Sequence, residues 1–201
     1  MTLNFTFDFG AMKAALLYLA SKHLPNFDKY RALKLLFLAD REHLLRFGRP
    51  ITGDSYNALP FGPTPAATHK LLDGLESVTI EGDDTEDPRV LELVKSLCVG
   101  EIPYPVYQPR EAPDMDALSE TDLIVLDHVA AEHGSKEFKQ LKDLTHEMAA
   151  YKRALRDDQN RKRFAMKFED FFVETPDRLD LLADIKEKHL LEEIFPDTTC
   201  A

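Results

Sequence analysis

The stretch YRALKLLFLADREHLLRFGRPITGDSYNALPFGPTPAATHKLL, residues 30–72, decides the fold. Its first half reads as one long helix. Asn26 or Asp28 offers an N-terminal cap and Gly48 a C-terminal stop, so the helix runs from Asp28 to about Phe47. At about 100° per residue, Leu33, Leu36, Phe37, Leu44 and Phe47 share one face, while Leu35, Leu38 and Leu45 populate the opposite side. A helix apolar over so much of its circumference belongs at the centre of a domain. Asp40 falls in the middle of the first face. Burying a carboxylate without partners is costly, so Asp40 is expected to be paired or hydrogen-bonded, tying the helix to the Gly53–Pro63 segment.

The second half is punctuated by Gly and Pro. Gly48-Arg49-Pro50 turns the chain, and Ser55–Leu59 reads as a short strand. In Pro60-Phe61-Gly62-Pro63-Thr64-Pro65, Thr64 is expected to cap a helix that starts at Pro65, runs to about Leu72 and ends at Gly74. Between Leu71 and Pro88 stand seven carboxylates and no Lys or Arg, which predicts a solvated loop.

Outward from this core the elements are shorter. Residues 1–9 alternate polar and apolar and read either as a strand or as a lead-in. Ala11–His23 reads as a helix ended by Pro25. Pro88–Leu97 fits a short helix, and Ile102–Gln108, with two prolines, an edge strand. Its Tyr104–Gln108 part is expected to pair with Ser55–Leu59. After a linker at 109–118, Ser119 to Asp122 form a capping box for a helix closed by Gly134. Ser135 is expected to cap the next, through Leu141 and Leu144 to His146. A basic stretch follows at 152–167, with seven Lys/Arg against two Asp. The last helix, about Asp177 to Phe195, carries a Leu181/Leu182/Ile185 stripe that either closes the domain's own core or lies in a partner's groove. The fold class is α+β and predominantly helical: a central long helix, surrounding helices and a small antiparallel sheet. Three units are expected: 1–25 as an N-terminal helix and lead-in, 26–172 as the main domain, and 173–201 as a helical extension.

Composition narrows the function. The 201 residues carry 25 Lys/Arg against 36 Asp/Glu, a net charge of −11, which argues against a dedicated nucleic-acid binder and fits a basic protein partner. Two distant cysteines, Cys98 and Cys200, make neither a disulfide framework nor a metal spacing, so a cytoplasmic protein without metal or cofactor is expected. No apolar run nears 18 residues, so no membrane span is expected. Glycine-rich phosphate loops, HExxH, GxSxG and paired CxxC are all missing. The best catalytic constellation is Asp40, Arg41, Glu42 and His43, with His69 or His146 supplied from elsewhere; a small enzyme built on Asp40 with His69 or His146 is one alternative.

The run KLLFLADREHLLRFGRPITGDSYNALPFGPTP is similar to the core of the Panacea domain, the SocA-like antitoxin family. The resemblance rests on Leu38–Glu42, the GRPITGD turn at Gly48–Asp54 and the PFGPTP turn at Pro60–Pro65. It extends to YPVYQPRE, to the helix start at Leu118–Glu120 and to LKDLTHE at Leu141–Glu147, covering about Asp28 to Asp170. Asp40, Gly53, Asp54, Thr145 and His146 are the motif positions it marks. The chain departs where Met148-Ala149-Ala150-Tyr151 stands in place of a Trp that often follows the TH pair. The segment after Phe172 reads as an added helix, and the helix-turn-helix module fused to some relatives is not visible in the short N-terminal region. The resemblance implies a non-enzymatic antitoxin that neutralises a cognate toxin, on phages or other mobile elements, by binding it or presenting it to a cytosolic protease. A protease adaptor or phage-associated interaction protein without a cognate toxin is the other alternative. Arg41, Tyr56, Phe61, Gly62 and Pro63 are the expected partner surface, two aromatics beside a guanidinium on a rigid turn.

Overall fold

The computed structural model describes residues 2–100, 105–156 and 164–194. It is predominantly helical, with eight α-helices among the described residues and small antiparallel sheets. The central helix, α2 (Lys29–Phe47), follows α1 (Phe9–Ser21). Asp28 caps α2 by accepting from the Arg31 N–H at 2.8 Å. Gly48 ends it in the left-handed conformation, φ 80°, with its N–H returned to the Leu44 carbonyl at 3.0 Å. Every residue from Arg31 to Asp40 is buried, so α2 is enclosed on all sides along that length. Met12, Leu16, Leu17 and Leu19 of α1 and Val125, Leu126 and Val129 of α5 (Glu120–His133) share one core with Leu35, Leu36 and Phe37. Each such side chain contributes about 1.5–3 kcal/mol on burial, which is what holds α2 in place.

The strand predicted at Ser55–Leu59 is β1 (Tyr56–Leu59), but its partners differ from expectation. It pairs antiparallel with β2 (Gly62–Pro65), Tyr56 opposite Pro65 and Leu59 opposite Gly62. On its other side lies β5 (Phe164–Ala165), giving the order β2-β1-β5. The strand of the 102–108 region is β4 (Tyr107–Pro109), which instead pairs with β3 (Leu97–Val99); residues 102–104 of that prediction lie outside the described residues. The proline-rich PFGPTP segment is therefore mostly strand. Proline offers no N–H, and β2 is an edge that needs donors on one side only.

In the helix that follows β2 a tertiary neighbour replaces a local signal; elsewhere another local signal wins. Thr64 lies in β2, and Pro65, which has no capping side chain, occupies the cap position of α3 (Ala66–Glu76). Gly74 does not end α3. A Cβ there would lie 2.9 Å from Cγ2 of Val90, so the glycine makes room for α4 (Pro88–Ser96). One wide π-type turn, Ser77–Glu81, continues α3 until Gly82 at φ 77° stops it, leaving the acidic loop shorter than expected. Glu137 with Gln140, not Ser135, forms the capping box of α6 (Phe138–Glu147). Residues 2–8 run as a lead-in rather than a strand, with Asp8 N–H donated to the Thr52 carbonyl at 2.8 Å. After α7 (Ala149–Arg156), β5 and a 3-10 segment at Phe168–Phe172, α8 (Arg178–Ile194) lays Ile185 against Gly48 and half-buries Leu181 and Leu182 on the core. Among the described residues no helix is long and apolar enough to cross a membrane.

Candidate functional site

Three charged side chains are buried on α2, Arg31, Lys34 and Asp40, and the motif residues gather around Asp40 and Lys34. Asp40 is 0% exposed. One of its oxygens accepts from the N–H groups of Ile51 and Thr52, each at 2.8 Å; the other accepts from the hydroxyls of Thr52, at 2.5 Å, and Tyr56. Burial pushes its pKa up to about 6, against the opposing pull of those four bonds. The turn that supplies them is itself clamped. Gly53 takes φ 65°, and a Cβ there would lie 2.1 Å from the Thr6 carbonyl oxygen, so no other residue fits. Asp54 then reaches forward to cap α3, accepting from the N–H groups of Ala67 and Thr68 at 2.9 and 2.8 Å and from the Thr68 hydroxyl at 2.8 Å. Asp54 therefore does the work expected of Thr64.

Tyr56 is only 3% exposed, packed against Phe37, Phe168 and Phe171. It forms part of the Asp40 clamp and offers no surface to a partner. Burial and the Asp40 charge both push its phenol well above the ordinary range, so it stays protonated and donating.

The four consecutive residues Asp40 to His43 point into four different environments. Glu42 meets Arg46 and His128, at 2.7 and 2.8 Å. Arg41 lies 3.8 Å from Glu174. His43 is buried, its Nδ1 2.7 Å from the Arg49 carbonyl and its Nε2 2.9 Å from Asp122. Burial raises the Asp122 carboxyl, but bonds from His43, the Ser119 N–H and Arg49 outweigh it and hold the group well below the usual carboxylate range. Neither His69, which faces Asp73 at 3.7 Å, nor His146 is among the groups bonded to Asp40. The acid–base pairing expected of Asp40 with either histidine is thus not assembled. Among the described residues no three His, Cys, Asp or Glu side chains form a metal-holding group.

The second of these two is Lys34, at 1% exposure, which sequence reasoning missed. Its ammonium donates to the Pro63 carbonyl at 2.5 Å and lies 5.1 Å from the Tyr30 ring centre. No carboxylate pairs with it among the described residues, and desolvation lowers its pKa to about 7. Gly62 faces it at φ 104°: a Cβ there would sit 2.8 Å from the Thr145 hydroxyl, 3.1 Å from Lys34 Nζ and 3.3 Å from His146 Cδ2. His146 stacks on Tyr151 with ring centres 4.5 Å apart, and Tyr151 donates to the Leu59 carbonyl at 2.8 Å. The His146 Nε2 is buried without a hydrogen-bond partner. Burial, then Lys142 and Lys34, lower its pKa and keep the ring neutral. Gly62, Pro63, Thr145 and His146, far apart in sequence, therefore meet at one lysine. The clue in sequence was its place on the wheel, four residues before Leu38 and beside the Leu38/Leu45 face.

Two surfaces flank α6. At one end Phe61 is 59% exposed, its ring 5.9 Å from that of Phe138, which is 48% exposed and 4.3 Å from Tyr30. The Lys142 ammonium lies 5.9 Å from the Phe61 ring. Arg41 is elsewhere: eleven residues beyond Tyr30, or about 16 Å of helix rise, it lines a groove of about 360 Å³ with Leu38, Leu45, Val129, Leu144 and Met148. The expected patch thus resolves into an exposed aromatic tip, a separate arginine groove and a buried tyrosine, while Gly62 and Pro63 lie beneath the tip.

A family model for the SocA-like antitoxin, Panacea domain, matches residues 33–152, more than half of the chain. The chain belongs to that family. Neither a curated protein nor a solved structure matches it.

Proposed function

We propose that this protein is the antitoxin of a toxin–antitoxin pair and neutralises a cognate toxin by direct binding in the cytoplasm, without catalysing a reaction. Membership of an antitoxin-like family gives the general role. The observation that carries the binding mode is the pair of exposed rings, Phe61 and Phe138, held over a buried support. Phe61 sits at the tip of the β1–β2 hairpin, whose following strand is anchored through Lys34 to α2, so little ordering is needed on association. Aromatic and arginine side chains carry most of the energy of such interfaces. The toxin then lies along α6 from the Phe61–Phe138 tip to Arg41.

The test uses the protein encoded next to this gene. Toxicity of that product alone, relieved by co-expression of this chain, establishes the pair. Co-purification then places the contact. Phe61→Ala with Arg41→Ala should stay folded and lose the toxin, whereas truncation after Glu174 should keep it. A soluble, folded truncation that no longer binds would move the contact to α8.

A further inference from the structure

The groove between α2, α5 and α6 holds a guanidinium whose one ion pair among the described residues is long. The Arg41 side chain is 23% exposed, and its guanidinium donates no hydrogen bond among the described residues; its ion-pair partner, the Glu174 carboxylate, stands at 3.8 Å and is itself half exposed. Burial lowers the Arg41 pKa, the mark of a cation held away from water. Around it the floor is apolar, made by Leu38 and Leu45 of α2, Val129 of α5, and Leu144 and Met148. On the rim, Glu42 bonds Arg46 and His128; its charge adds to that of Glu174 in favouring the Arg41 cation, but it supplies no bond to the guanidinium. His133 closes one wall, and its Nδ1 is buried with no hydrogen-bond partner.

We propose that this groove docks one amphipathic helix of a protein partner, whose apolar residues fill the floor and whose Asp or Glu pairs with Arg41. This rests on the reading above that the protein binds a protein partner, and it specifies the chemistry of that partner. A floor of aliphatic side chains from three helices, rimmed by charged ones, matches the apolar face and polar flank of an amphipathic helix with anchors at i, i+3 or i+4 and i+7. A carboxylate can meet the guanidinium fork with two parallel bonds, which Glu174, at 3.8 Å, does not supply. A partner that is basic overall is still steered to this acidic chain over long range, since steering depends on summed charge while docking depends on the single local pair.

The full chain can be titrated by fluorescence anisotropy with a labelled 16-residue helical peptide bearing Leu at i, i+4 and i+7 and Glu at i+3. Its Glu→Gln counterpart is the control. The expected result is about tenfold or greater preference for the Glu peptide, as one charge-assisted pair gives. That preference should vanish in Arg41→Met, with circular dichroism verifying its fold. Met148→Glu, which puts a carboxylate into the trough, should abolish binding of both peptides. Equal binding of the two peptides, or no binding of either, overturns the proposal. So does a tenfold gain on removing residues 195–201, which would make the chain's own tail the occupant, or a dimer that Arg41→Met dissociates, which would make it a second copy. Should the neighbouring gene product bind this chain with Arg41→Met unimpaired, the antitoxin reading stands and the groove assignment falls. If that product does not bind at all, the peptide preference still decides the groove by itself.

Discussion

Asp40 and Lys34 lie six residues apart on the same buried helix, and they are treated in opposite ways. Asp40 is met by four donors, two of them backbone N–H groups of a turn that another aspartate and a glycine hold rigid. Lys34, with three N–H bonds to give, meets one carbonyl and the face of a tyrosine. The first environment organises structure: α2, the Gly48–Asp54 turn and the start of α3 are wired through it. The second is a cation beneath the most exposed aromatic of the hairpin, without a counter-charge among the described residues. Saturating a buried ion fixes a fold, whereas under-satisfying one leaves a site sensitive to protons and to neighbours.

The largest expected effect falls on the saturated side. Asp40→Ala leaves four oriented donors unanswered and should cost about 3–5 kcal/mol in urea unfolding. Asp40→Asn should cost far less. The oxygen facing the fixed N–H groups of Ile51 and Thr52 can be the amide oxygen, and the hydroxyls of Thr52 and Tyr56 can turn to accept from the amide NH2. If Asn were as damaging as Ala, negative charge rather than hydrogen bonding would hold the turn.

An intermediate effect belongs to the wall between hairpin and lysine. Gly62→Ala forces a side chain into φ 104° and against the Thr145 hydroxyl, and should cost about 1–3 kcal/mol. Thermal denaturation of that variant beside Gly82→Ala separates strain from crowding, because Gly82 also has positive φ but nothing within 4 Å of its Cβ position.

The smallest change at neutral pH, and the sharpest test of the contrast, is Lys34→Met. It removes a buried charge with no counter-ion among the described residues and should shift stability at pH 7 by no more than about 1 kcal/mol in either direction, since the Pro63 carbonyl loses its donor. The pH profile distinguishes the two ions. A lysine whose folded pKa is lowered from 10.5 to about 7 binds its proton less well in the native state, so wild-type stability rises as pH goes from 7 towards 10.5. Lys34→Met should lack that rise. Asp40, raised from 3.8 to about 6, binds its proton better when folded, so its contribution falls as pH rises from 3.8 through 6, and Asp40→Asn removes that slope. Parallel profiles for wild type and Lys34→Met would show that the lysine is solvated in solution.

Much of this was legible from residues 30–72. The α2 wheel placed Asp40 inside and required partners for it, the caps at Asp28 and Gly48 bounded the helix, and the capping box at Ser119 fixed the start of α5. The Leu181/Leu182/Ile185 stripe offered two readings, and the structure sets it against the domain's own core. What failed was local inference about neighbours. Thr64 looked like a cap because it precedes a helix, but Asp54, ten residues earlier, occupies the N–H groups first. Tyr56 was expected on the partner surface as one of two aromatics beside a guanidinium, but it completes the Asp40 shell.

Alone, then, the sequence determined the central helix with both its ends, its buried acid, the start of α5 and the family, because periodicity, capping and motif order are properties of adjacent residues. Only the tertiary structure decided which strands pair, that the expected surface patch divides between a tip, a groove and the core, and that Lys34 is buried beside Gly62, Thr145 and His146. Those outcomes depend on the approach of segments tens to more than a hundred residues apart, where desolvation and steric fit are set by what arrives and not by what is adjacent.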